Sequence, residues 1–68
     1  MPDSSERRAL AERHVAMGRQ MVEEQREKLA RIRERGGDTS DAETMLALFE
    51  KTLALFEEDL ALIRSEKK

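Results

Sequence analysis

His14 is the chain's single histidine, and it sits among residues that could give it chemistry. A phosphate-accepting helical histidine needs room for a donor beside it. Gly18, four residues on, stands at the right offset for that, but Met17 occupies the place where a Lys would serve. The Pro that follows the phosphorylated His of dimeric kinases is missing as well. A second chemistry is soft-ligand binding. His14, Met17 and Met21 fall on one side of a helix, and His/Met sets hold soft metals or haem. A bundle di-iron centre would want Glu three residues before the His, where this chain has Ala11. The third reading is architectural. In this reading His14 is a buried seam residue that hydrogen-bonds across a dimer or to Gln25 of a neighbour, because polar seam residues set register. The residue types favour it. His14, Gly18 and Gln25 are then the three candidate functional positions, as the places where the apolar pattern is broken.

Other clusters carry less. Glu57, Glu58 and Asp59 are consecutive, so a helix points them at three different faces and they read as solvated surface. Arg26, Lys28, Arg31, Arg33 and Arg35 resemble a nucleic-acid patch, but Glu27 and Glu34 interrupt them. No aromatic is nearby for stacking, and the isoelectric point is about 5.4. They suit the negative end of a helix dipole instead. There is no nucleophile paired with a base and no glycine-rich phosphate loop, so no enzyme, cofactor or metal is expected, and neither nucleic acid nor membrane as a partner.

The elements that position these residues are legible. Charged residues make up 41% of the 68 positions and hydrophobic ones 38%, with one Pro, which is helix and coiled-coil composition. Asp3 with Glu6 predicts a capping box, with Ser4 and Ser5 as rival caps, and a helix over about 4–35 follows. Gly36-Gly37 ends it within a turn at 36–39. Ser40 with Glu43 predicts a second capping box, or Thr39 caps instead, and helix 2 spans about 40–65. A connection this short makes the helices antiparallel neighbours. The fold class is all-α, one domain of 1–68. Residues 1–37 carry nine basic against seven acidic groups and residues 38–68 four against eight, an asymmetry that favours pairing of the two helices.

Helix 2 repeats itself. LALFEKT, LALFEED and LALIRSE are three consecutive heptads. They set Leu46, Leu53 and Leu60 at one seam position and Phe49, Phe56 and Ile63 at the other. Leu48, Leu55 and Leu62 form a further column about 100° around the helix from the Phe column. On helix 1, Leu10, His14, Met17, Met21, Gln25, Leu29 and Ile32 read as the core stripe, with Ala11, Val15 and Val22 on its flank. One neighbouring helix covers only a narrow stripe, and three leucines left in water forfeit about 1.5–3 kcal/mol each. The expectation is therefore a homodimer forming a four-helix bundle, with all nine of these helix 2 residues serving self-association. With no Cys and no metal ligand set, association is also the remaining way to stabilise so short a chain. No secretory signal or membrane span is legible, which predicts a cytoplasmic location.

The segment AERHVAMGRQMVEEQREKLARI, then GGDTSDAETML and a Leu-rich second helix, resembles a group of short, uncharacterised proteobacterial proteins. Their pattern is an AERHVA-like helix 1, a Gly-x-Asp-Thr turn and a Leu-rich helix 2, and the likeness runs from about Ala11 to Leu60. It implies a bacterial helical hairpin and no particular activity. The functional reading from sequence is a small structural or protein-interaction protein, with phosphotransfer or signalling at His14 as the alternative.

Overall fold

The computed structural model describes residues 4–66 and shows an antiparallel helical hairpin measuring 53 × 17 × 13 Å. Helix α1 spans Ser4–Glu34 and helix α2 spans Ser40–Ser65. Asp3, half of the expected first capping box, lies outside the described residues.

Two glycines end α1. Gly36 adopts the left-handed conformation (φ 71°), which a Cβ would strain. Its N–H donates to the Arg33 carbonyl and the Gly37 N–H to the Ile32 carbonyl, each at 3.0 Å. This pairing is a Schellman motif, and it occupies two carbonyls that the helix end would otherwise leave open.

The start of α2 departs from expectation. The Ser40–Glu43 capping box does not form, and Thr39, although at the N-cap position, makes no side-chain bond to the helix backbone. Asp38 does the work from one residue earlier. Its Oδ1 accepts the Ser40 N–H at 3.0 Å and the Ser40 hydroxyl at 2.8 Å. The backbone bond first and the hydroxyl second hold the Asp38 carboxyl below its ordinary value of 3.8. Glu43 is diverted elsewhere: its carboxylate accepts the Thr39 hydroxyl at 2.8 Å and pairs with Arg33 at 3.5 Å.

The seam between the helices follows heptads on both sides. From α2 it takes Leu46, Phe49, Leu53, Phe56, Leu60 and Ile63, all buried or half-buried. From α1 it takes Ala11, Val15, Gly18, Val22, Gln25 and Leu29, all buried, with Ile32 half-buried. The α1 steps alternate four and three, the spacing of a knobs-into-holes seam. This corrects the stripe read from sequence. Ala11, Val15 and Val22 are the seam itself, while Leu10, Met17 and Met21 stand in water. Small α1 residues let the helices come close, so the larger α2 side chains fill the space between them.

Candidate functional site

The three α1 positions singled out by pattern have separate roles. Gly18 belongs to the seam. A Cβ added there would lie 3.1 Å from Leu53 Cδ1 and 3.4 Å from Phe56 Cδ2, so the glycine permits a close helix contact. It does not open a surface beside His14. Gln25 is buried, and its Nε2 donates to the Ala42 carbonyl at 3.2 Å, tying the C-terminal third of α1 to the first turn of α2. Its polar group is thereby satisfied, as burial requires. His14 is half-buried at the edge of the seam rather than within it. Its ring stacks on Phe56 with centroids 5.2 Å apart and planes at 28°. The expected place at the centre of the apolar stripe is thus corrected: His14 lies one position before the seam residue Val15, beside the open side of the hairpin.

The two flanks of the seam differ in chemistry. Along one, Glu12, Arg19, Arg26 and Arg33 step up α1 by sevens, while Arg64, Glu57, Glu50 and Glu43 step down α2 by sevens. They form four ion pairs: Arg64–Glu12 at 3.6 Å, Arg19–Glu57 at 3.5 Å, Arg26–Glu50 at 3.2 Å and Arg33–Glu43 at 3.5 Å. All are largely exposed, so each contributes no more than about 1 kcal/mol. Together they close that side with charge, and they realise the charge asymmetry of the two helices.

The other flank is open. Helical register sets Arg7 beside Glu66, His14 beside Asp59, Met21 beside Thr52 and Lys28 beside Met45. Only the first of these pairs is an ion pair, at 3.2 Å. In this row and just outside it lie the exposed apolar side chains: Met21 and Met45 within the row, and Leu10, Met17, Leu48, Leu55 and Leu62 beyond it. The α2 leucines are 54%, 59% and 63% exposed. Of the nine α2 residues expected to serve self-association, six are thus engaged with α1 of the same chain. Leu48, Leu55 and Leu62 alone are left uncovered.

Two of the hollows on this open side matter here. One, near the helix termini, is lined by Arg7, Leu10, Ala11, His14, Asp59 and Ile63. The other, of about 190 Å³, lies at mid-length between the helices and is lined by Gly18, Met21, Leu48, Phe49 and Thr52, almost wholly with apolar surface. Among the described residues no group of three His, Cys, Asp or Glu is placed to hold a metal ion. No described helix is long and apolar enough to cross a membrane.

Pattern reading missed Leu10, Met17, Met21 and Met45 as members of one exposed face, and it missed the ion-pair ladder. The signal for both was present: Glu12, Arg19, Arg26 and Arg33 form a charged heptad column, which fixes where the α1 seam must run. Comparison with protein-family models, with curated proteins and with solved structures finds no match to this chain.

Proposed function

We propose that this protein is a non-catalytic helical interaction module that pairs with a second copy through its open apolar face, giving a four-helix bundle. The observation that carries the reading is the gathering of seven large apolar side chains on one side of a hairpin whose opposite side is closed by ion pairs. At roughly 200 Å² for a fully exposed Leu or Met, these seven hold about 700 Å² in water. That is close to the ~800 Å² per partner of a standard interface.

The proportions of the chain support it. A compact monomer of this 7.8 kDa mass exposes about 4,400 Å². This hairpin exposes 5460 Å². Its radius of gyration is 15.7 Å, against about 11 Å for a compact domain of this length. A slab half a bundle thick has both properties. The bundle's outer, charged surface then serves to dock another protein, in keeping with a reducing, intracellular setting for a chain without Cys.

Sedimentation equilibrium and thermal melts across protein concentration test the reading. A dimeric mass and a Tm that rises with concentration are expected. A monomeric mass at micromolar concentration, with full helicity retained, would refute it.

A further inference from the structure

The hollow at mid-length on the open face is lined almost wholly by apolar surface, with Gly18 among its lining residues. Its walls, Met21, Leu48, Phe49 and Thr52, come from both helices, and its volume of about 190 Å³ suits one aliphatic side chain. Resting on the dimer reading above, we propose that this hollow is the socket for Leu55 of the second copy, and that the reciprocal pair of sockets fixes the register of the dimer.

Level along the hairpin, with the make-up of the socket wall, selects Leu55. An isologous interface must carry both knob and socket on the same surface, each reaching the other through one twofold axis. Two axes bring this face against itself, one along the helices and one across them. The first leaves the height of every residue unchanged. The second reverses heights about the middle. Only a residue near mid-height meets a mid-height socket under either. Gly18 and Met21 flank the midpoint of α1, Thr52 stands at the midpoint of α2, and Leu55 is one turn from Thr52. Leu62 stands about 15 Å from Thr52 and is too far from mid-height, while Leu48, like Leu55, lies about one turn from Thr52. Leu48, however, is already part of the socket wall. Leu55 itself is 59% exposed and has nothing of its own chain to cover it.

The test uses the absence of native cysteine. One full-length chain carries Met21→Cys and a second carries Leu55→Cys or, as a control, Leu62→Cys. Each mixture is treated with a short dithiol-bridging reagent. The Met21→Cys and Leu55→Cys chains are expected to bridge in high yield, at least tenfold above the Leu62→Cys control. Independently, Thr52→Leu fills the socket from within and is expected to raise the dimer dissociation constant at least tenfold. Adding Leu55→Ala to Thr52→Leu should restore much of that loss. A chain that sediments as a dimer yet bridges equally well through Leu62→Cys, or that tolerates Thr52→Leu unchanged, overturns the socket and leaves the dimer standing. A monomer overturns both.

Discussion

Gly18 offers the sharpest test of how the hairpin is held together. Glycine inside a helix costs about 1 kcal/mol relative to alanine, so its presence at the centre of a 31-residue helix needs a compensating contact. The structure supplies one. A Cβ at this position would stand 3.1 Å from Leu53 Cδ1, 3.4 Å from Phe56 Cδ2 and 3.6 Å from the Leu53 Cα. In Gly18→Ala the nearest atom is the end of a flexible side chain, which can retreat by a few tenths of an ångström. The propensity gain and the packing cost then nearly cancel, and stability should stay within about 1 kcal/mol of the parent. Gly18→Leu is different, because its branches must enter space already held by Leu53 and Phe56. Overpacking of this kind costs about 1–3 kcal/mol. For a chain of this size that lowers Tm by roughly 5–20 °C. Thermal melts followed by circular dichroism, at matched protein concentrations, separate the two. A Gly18→Leu protein as stable as the parent would show that the helices do not close on this glycine. Partner access beside His14 would then become the better account of it.

Three further outcomes are expected. Gly36→Ala forces a Cβ into a positive-φ position with no neighbour to relieve it, and should cost about 1 kcal/mol in denaturant titration; no change would mean the Schellman turn is dispensable. Asp38, held below its ordinary carboxyl value by Ser40, stabilises the fold fully above that value and loses its contribution as pH falls through the lowered one. Asp38→Asn should therefore flatten the acid limb of Tm against pH between about pH 2 and pH 5, and an unaltered acid limb would rule Asp38 out as its source. His14→Ala removes the stack on Phe56 and should cost about 0.5–1.5 kcal/mol by chemical denaturation, while the parent protein treated with a small phosphoryl donor should form no acid-labile phosphohistidine detectable by mass spectrometry.

The end of α1 was readable because Gly36-Gly37 marks it by a local rule. α2 was readable because its three heptads repeat without interruption. α1 misled for a physical reason. A hydrophobicity pattern ranks Leu10, Met17 and Met21 above Ala11, Val15 and Gly18, but a tight seam selects for smallness once the opposite helix supplies Leu53 and Phe56. The turn misled through competition for one carboxylate: Glu43 has the spacing of a capping residue, yet Arg33 and the Thr39 hydroxyl draw it away and leave the cap to Asp38. Neither contest is decided within one helix, and so neither was visible before the two were placed together.

The ladder of ion pairs has one rung with its charges exchanged, and that exchange limits how the chain can mispair. Because α2 repeats every seven residues, sliding it by one heptad against α1 would still keep the Leu and Phe of the overlapping heptads in seam positions. Three of the four rungs set Arg on α1 against Glu on α2, and two such rungs would re-form after a slip in either direction. Glu12 and Arg64 would not. A shift in one direction brings Glu12 against Glu57, and a shift in the other brings Arg19 against Arg64, a like-charge contact in either case. The short turn already prevents such sliding within one chain, but it has no hold on helices of two different chains that meet before each has closed on itself. A single inverted rung thus distinguishes the native alignment from both of its nearest copies, during synthesis and at high local concentration, where helices of separate chains compete for the same seam.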